Sequence, residues 1–368
     1  MKFVADNLVD TGSAHRPSML FMHDHVKANG GSRKGGDLNQ DQADIATPLP
    51  ALTDLRKLRK PITKLASDTV LLHVGMLNDR TRTSAYMDAI RRVVHRGDVV
   101  LDIGTGTGIC ALAAARAGAR HVYAIEVGGV ARVARSLFAA NGFSDRISLV
   151  RGWSTEVQLP ERADVLVSEL IGDEPLAEDV LGVTKDALRR LLKPNARLVP
   201  SGIQLFGLPV TVPDDVLNQC TFTPATVQKW QSWYGLEFAP LTKVAPFRQV
   251  MDFMNPHAVL GWKTLSAPVL LADVDFKTWQ RSRLRTTVPC TATAPGQLNG
   301  MIVYFELKAG SNTFFTTHPA STDESNHWCS PVYSFVHPIS LETGSQFELT
   351  YWYRFDDGLS GCAVRRRD

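Results

Sequence analysis

One junction constrains the fold more than any other stretch. The apolar run Val99-Val100-Leu101-Asp102-Ile103 meets Gly104, Gly106 and Gly108, and an alanine-rich segment from Ile109 to Ala117 follows, which Gly118 can end. A run this apolar reads as a strand buried on both faces of a parallel sheet. The glycines let the backbone turn and let a ligand approach it closely. Parallel strands require a crossover, and the helix supplies one. A second short strand, His121 to Ile125, ends at Glu126, eighteen residues past Gly108. An acid at that strand tip can accept from a ribose diol. Without the third glycine of the dinucleotide fingerprint, the spacing favours S-adenosylmethionine (SAM) over NAD. The expected elements are strands at 99–103, 121–125, 147–150 and 163–168, with helices at 107–117, 129–141 and 179–192, the pattern of a doubly wound, Rossmann-like sheet.

After the strand at 163–168 comes Ser168-Glu169-Leu170-Ile171-Gly172-Asp173-Glu174-Pro175-Leu176-Ala177-Glu178. Gly172 and Pro175 break any continuous helix, so Glu169 and Glu178, nine residues apart, can face each other across a folded-back loop. Two facing carboxylates suit a guanidinium, whose planar fork of N–H donors they accept bidentately. Acids in polar loops are commonly plain solvated surface, so the pair gains meaning only downstream of the glycine loop. Glu174, between the two, is expected to be exposed or to lie at a substrate rim.

With both loops in place, the chain resembles the protein arginine methyltransferase family from about Leu71 to its end. Four segments carry the resemblance. His73-Val74-Gly75-Met76-Leu77-Asn78-Asp79-Arg80-Thr81-Arg82-Thr83 is similar to the family's segment over bound SAM. The Val100–Gly108 loop with Glu126 is the second anchor, and the acid loop, with the family's double-glutamate spacing, is the third. Asn326-His327-Trp328 resembles the Thr-His-Trp loop that closes the arginine pocket, with Asn326 in place of threonine. Gly152-Trp153-Ser154-Thr155-Glu156 is closest to the monomethylating, type III branch, and Ser67 to Leu72 lacks the aromatic residues of the type I enzymes' first helix.

The resemblance implies an arginine nitrogen attacking the methyl of the SAM sulfonium, with neither metal nor covalent intermediate. It assigns Glu169 and Glu178 to the guanidinium clamp, and His327 with Asp79 to a proton relay. Arg82 would pair with the SAM carboxylate, Asp102 would orient the glycine loop through backbone N–H groups, and Gly104 and Gly106 would admit the methionine part. Glu126 would take the ribose, while Ser154 and Thr155 would touch the adenine. Met76 and Trp328 would border the acceptor. The acceptor itself is left as arginine in a protein or peptide, or free arginine, and the dominant product as monomethylarginine. A catalytically silent scaffold is disfavoured because clamp and glycine loop are intact. A nucleic-acid methyltransferase is disfavoured because Ser168-Glu169-Leu170-Ile171 is not an Asn/Asp-Pro-Pro-aromatic motif.

The chain's 368 residues, 44% hydrophobic and 21% charged, fit two ordinary domains. A net charge of +3 gives no reason to expect a nucleic-acid or membrane partner. Five scattered cysteines without a CxxC pair argue against a disulfide framework or zinc site and for a reducing compartment, so the expected setting is cytoplasmic, or nuclear as well in a eukaryote. Residues 1–64 are polar and read as a flexible extension, with a short apolar patch at Met19–Met22 and a basic helix over 52–65. Residues 65–199 read as the SAM-binding domain. Residues 200–368 read as an antiparallel β-barrel, from period-two strands at 202–210, 267–276, 300–307 and 347–355. Within it, 214–256 is an aromatic-rich helical insertion. Trp230, Trp233 and Tyr234 fall on one helical face there. The family carries a dimerisation arm at this place, which implies a homodimer.

Overall fold

A computed structural model describes residues 62–220, 224–244, 249–281, 283–355 and 358–367. Apart from the first residues of α1, the readings made for residues 1–64 therefore lie outside the described residues.

The first half alternates helix and strand: α1 (Ile62–Asn78), α2 (Arg80–Val93), β1 (Val99–Ile103), α3 (Ile109–Arg116), β2 (His121–Glu126), α4 (Ala131–Ala140), β3 (Ile147–Arg151), β4 (Ala163–Ser168), α5 (Val180–Arg190) and β5 (Leu192–Val199). Its strands form one parallel sheet in the order β3-β2-β1-β4-β5. The order reverses between β1 and β4, which places the ligand crevice at their carboxyl ends. Register aligns Ile103 with Ser168 there. The glycine loop and the acid loop therefore leave the sheet side by side. All five residues of β1 are buried, as expected of a central strand covered by helices on both faces.

Two elements depart from expectation. Residues 192–199 form a strand where the sequence pattern stops at a helix; their polar stretch with Pro194 is tolerated because β5 is an edge. The segment over the glycine loop is two helices, with Asp79 at their junction accepting from the Arg82 N–H as the N-cap of α2.

The second half begins at β6 (Gly202–Thr211), continues through α6 (Asp214–Cys220), α7 (Pro224–Tyr234) and α8 (Ala239–Val244), and then runs β7 (Gln249–Met254), β8 (Lys263–Thr264), β9 (Val269–Asp275), β10 (Arg283–Thr291), β11 (Gly296–Ala309), β12 (Asn312–Thr316), β13 (Ser330–Leu341), β14 (Gln346–Arg354) and β15 (Ser360–Arg366). One seven-stranded sheet follows the order β7-β13-β11-β6-β8, with β12 on β11 and β9 on β6; β10-β14-β15 form a second. All of these pairings are antiparallel. Among the described residues no ladder joins the two sheets into a closed ring, so the expected barrel is present as two packed antiparallel sheets. β10 and β13 escape the sequence pattern because they contain Pro289, Pro331 and Pro338. Pro338 falls where the β11–β13 register shifts, a position that needs no ladder donor.

A continuous apolar core crosses both halves, from Leu101 and Leu166 through Leu205 and Phe305 to Tyr351 and Tyr353. Burial on this scale fixes the acid loop against the antiparallel sheets rather than leaving it on a hinge. The helical insertion is the exception: Trp233 is 58% and Tyr234 61% exposed.

Candidate active site

Glycine geometry builds the floor of the crevice. Gly104, Gly106 and Gly108 have φ of +72°, +55° and +89°, a left-handed backbone that other residues adopt only with strain. The Gly104 and Thr105 N–H groups both donate to the Ile125 carbonyl at 3.0 Å, tying the loop to the end of β2. Asp102 is buried and accepts from the Thr105 hydroxyl at 2.5 Å. Burial pushes its carboxyl up to about 7, against the pull of that hydrogen bond and with the nearby Glu126 charge adding to the rise. Besides the Thr105 hydroxyl, the Ala111 backbone N–H bonds the Asp102 carboxyl. Glu126 stands at the tip of β2, one oxygen accepting from Gly106 N at 3.0 Å and the other from Gly128 N at 2.5 Å. From above, Leu170 and His73 cover the floor: a Cβ on Gly104 would come within 2.9 Å of the Leu170 side chain, and one on Gly106 within 2.5 Å of the His73 ring.

The acid loop forms the neighbouring wall. Glu169, the first residue past β4, accepts an ion-paired hydrogen bond from Nη2 of Arg82. Arg82 also donates to the Met76 carbonyl at 3.1 Å and lies 5.1 Å from the Trp328 ring and 6.0 Å from that of Tyr86. Burial works against the Arg82 charge, but Glu169 outweighs it and holds the guanidinium above its ordinary value. Its Nε is buried with no hydrogen-bond partner among the described residues. Glu178 folds back over Gly172, where an added Cβ would stand 3.3 Å from its Cγ and Oε1. Burial pushes the Glu178 carboxyl up to about 7; the charges of Glu169 and Asp173 add to the rise and Arg82 opposes it. The two glutamates thus share one neighbourhood.

Asp79 and His327 are joined through the backbone: one Asp79 oxygen caps α2 by accepting from Arg82 N, and the other accepts the His327 N–H at 2.9 Å. The His327 ring lies against Gly75, where a Cβ would be 3.4 Å from its Nδ1. Trp328 is buried, and its indole N–H donates to the Ile171 carbonyl at 2.6 Å, so it braces the acid loop as well as contacting Arg82. Asn326, buried beside it, donates its side-chain amide to the Trp328 carbonyl.

The expectation for Glu174 is overturned. Its carboxylate is 6% exposed and accepts from Tyr351 Oη at 3.0 Å, Ser360 Oγ at 3.1 Å and Tyr333 Oη at 3.3 Å. Nothing in the loop's local sequence signals this, because the three donors lie on β13, β14 and β15, far along the chain.

The structure brings Arg82, Asp79, Met76, Glu169, Glu178, His327 and Trp328 around the acid loop, and Asp102, Gly104, Gly106 and Glu126 around the glycine loop. Ser154 is buried past the end of β3, its carbonyl accepting from Arg190 at 2.7 Å, whereas Thr155 is exposed. Tyr86 was missed by sequence reasoning. It is buried on α2 one turn after Arg82, and its hydroxyl has no hydrogen-bond partner. The i,i+4 spacing of Arg82 and Tyr86 on a helix was the available signal.

These groups fit a SAM molecule. Arg82 keeps a buried, unpartnered N–H suited to a carboxylate. Glu126 retains lone pairs beyond its two amide bonds, enough for a diol. The positive-φ glycines provide the close backbone approach.

Comparison with known proteins agrees with this geometry. The family profile of ribosomal protein L11 methyltransferase (PrmA) matches residues 79–239, and that of the arginine methyltransferase oligomerization subdomain matches residues 217–354. Protein arginine N-methyltransferase 1 of Schizosaccharomyces pombe is 31% identical over 281 residues, which span 74% of this chain and 78% of that protein. Two solved structures share the fold. The Trypanosoma brucei PRMT1 enzyme-prozyme heterotetrameric complex with AdoHcy has a TM-score of 0.66 at 23% identity, covering 80% of this chain and 98% of that one. Arabidopsis thaliana protein arginine methyltransferase 10, in an open conformation, has a TM-score of 0.64 at 23% identity, covering 80% and 96%.

Proposed function

The chain belongs to the protein arginine N-methyltransferase family, and on that premise we propose that it methylates a guanidino nitrogen of arginine within a protein or peptide, giving monomethylarginine. One observation carries the reading: among the described residues the crevice brings two glutamates together with one arginine. Arg82 pairs with Glu169. Glu178, half-buried beside that pair, makes no ion pair among the described residues, and its raised carboxyl reflects the cost of leaving it there alone. A second guanidinium entering beside Glu178 would balance the site.

When bound, SAM supplies an electrophilic methyl on a sulfonium. The residues do the rest. The glycine loop and Glu126 would hold the nucleoside, and Arg82 would pair with the cofactor's carboxylate through its buried Nε. Glu169 and Glu178 orient the substrate guanidinium, localise its positive charge on the nitrogens they bind, and aim the reacting nitrogen. Orientation and preorganised charge are the means, since a guanidinium with a pKa above about 12 is a weak nucleophile. Asp79 and His327, held together by a backbone contact, are the groups that would take up the released proton.

Support for the monomethyl product is the similarity of Ser154-Thr155-Glu156 to the type III branch and the lack of an aromatic residue in Ser67–Leu72. Support for a homodimer is the exposed aromatic surface of α7. Support for a reducing, cytoplasmic setting is the scatter of five cysteines without a CxxC pair. Mass spectrometry of an Arg-Gly-rich peptide and of free arginine, each incubated with the protein and SAM, tests the reading. Monomethylation of the peptide is expected. Methylation of free arginine alone would move the substrate to a small molecule, and accumulation of dimethylarginine would overturn the product assignment.

A further inference from the structure

Glu174 lies between the two clamp glutamates, five residues after Glu169 and four before Glu178, yet it points away from the crevice. Its carboxylate crosses into the antiparallel half, where it meets a hydroxyl from each of three strands: Tyr333 on β13, Tyr351 on β14 and Ser360 on β15. These strands belong to two different sheets. Tyr333 Oη also lies 2.8 Å from Ser360 Oγ, its single proton shared between that hydroxyl and the carboxylate, so the three hydroxyls form a connected set. Among the described residues, no cation is a partner of the carboxylate. A simple filler of this space would be cheaper if apolar, because a buried acid without a counter-charge must recover its desolvation from hydrogen bonds alone. A carboxylate is, however, a side chain that can accept from three hydroxyls at once.

The same loop is tied at two neighbouring points. The Trp328 indole holds the Ile171 carbonyl, and the Cys329 N–H donates to Asp173 at 2.7 Å. At Gly172 the backbone of Glu174 and the side chain of Glu178 converge: an added Cβ would lie 3.2 Å from the Glu174 carbonyl oxygen and 3.3 Å from Glu178 Cγ. With that little slack, a displacement of Glu174 is passed directly to Glu178.

We infer that Glu174 is the positioning residue of the acid loop: gripped by Tyr333, Tyr351 and Ser360, it sets where Glu178 stands relative to Glu169. The inference rests on the clamp role proposed above. It makes the spacing of the clamp a property of the interface between the halves, and not of the loop alone. Displacement of a catalytic group by about 1 Å can cost on the order of 100-fold in rate.

The test uses the full chain and the substitutions E174Q, Y351F and their combination. Methyl transfer to the peptide and to free arginine is measured with SAM affinity, and hydrogen exchange is followed across residues 169–178 and across β13–β15. In E174Q, kcat is expected to fall about tenfold or more, with SAM affinity and acceptor KM within threefold. Exchange is expected to quicken over 169–178 while the three strands keep their protection. Y351F is expected to give a smaller loss, and the double variant no more than E174Q alone, because both act through one contact. A wild-type rate in E174Q, unchanged exchange over 169–178, or loss of protection throughout β13–β15 would overturn the inference, the last by showing a general structural role. Should E174Q not fold, Y351F decides: unchanged exchange and turnover in it overturn the inference. Should the wild type methylate neither acceptor, the arginine reading fails separately, and the exchange arm alone decides the positioning role.

Discussion

Arg82, in the first turn of α2, is ion-paired with Glu169 at the end of β4, 87 residues away in sequence. In the proposed reading the pairing would join the two sites that a transferase must coordinate, with Arg82 toward the cofactor's carboxylate and Glu169 toward the acceptor. Glu169→Gln is therefore expected to do two things. Transfer should fall roughly 100-fold or more, as on loss of a preorganised electrostatic group. SAM affinity should also change measurably, because the buried Arg82 charge loses its partner. Calorimetric titration of SAM checks the second effect; identical affinity in variant and wild type would separate Arg82 from the cofactor.

Activity and stability should respond to pH in opposite directions. Burial raises the carboxyls of Glu174 and Glu178 from 4.5 to about 7, and Asp102 is likewise pushed up to about 7. The folded chain thus holds protons that the unfolded chain releases. Stability from these groups is fully present below about pH 4.5 and is lost as pH rises through about 7. The clamp needs its carboxylates ionised, so kcat/KM should rise with pH, roughly tenfold per unit below about 7, with the apparent pKa belonging to the acid cluster as a whole. Thermal unfolding at pH 5.5 and 7.5, beside a rate profile over the same range, tests both. A Tm that increases over that interval would contradict the burial argument.

Gly172→Ala probes the fold-back itself. Its Cβ would press on both the Glu174 carbonyl oxygen and Glu178 at 3.2–3.3 Å, closer than most such contacts allow. A shift of a few tenths of an ångström in Glu178 is expected to slow transfer by about tenfold, with little change in Tm. Steady-state rates and a melting curve suffice, and an unaltered rate would show that the loop has more room than the packing implies.

The helical insertion predicts an interface. Trp233 and Tyr234 are more than half exposed and edge-on to each other at 6.1 Å. Replacing both with glutamate should leave the fold intact but convert a dimer to a monomer in sedimentation. A wild-type protein already monomeric at micromolar concentration would remove this reading.

Much of the nucleotide half was legible because local pattern and tertiary role coincide there. β1 is apolar since it is central, and Gly104 to Gly108 recur since the turn demands positive φ. The fold-back of the acid loop was legible from Gly172 and Pro175, but its supports were not. Tyr333, Tyr351 and Ser360 reach Glu174 from strands more than 150 residues further on, and such contacts leave no periodicity in the loop. Strands β10 and β13 were hidden by prolines that sit at tolerated places in the ladders. The Arg82–Glu169 pair was hidden for another reason: each residue was read toward a ligand, and the structure adds that they first satisfy each other.

Glu178 carries the central claim, since it is the proposed clamp acid that makes no ion pair among the described residues. The most direct measurement compares wild type with Glu178→Gln for methyl transfer to an arginine-containing peptide, with SAM binding measured on the same samples. The predicted result is methylated arginine from the wild type, a loss of roughly 100-fold or more in the variant, and SAM affinity within threefold. Transfer by the variant within threefold of the wild type would contradict the account.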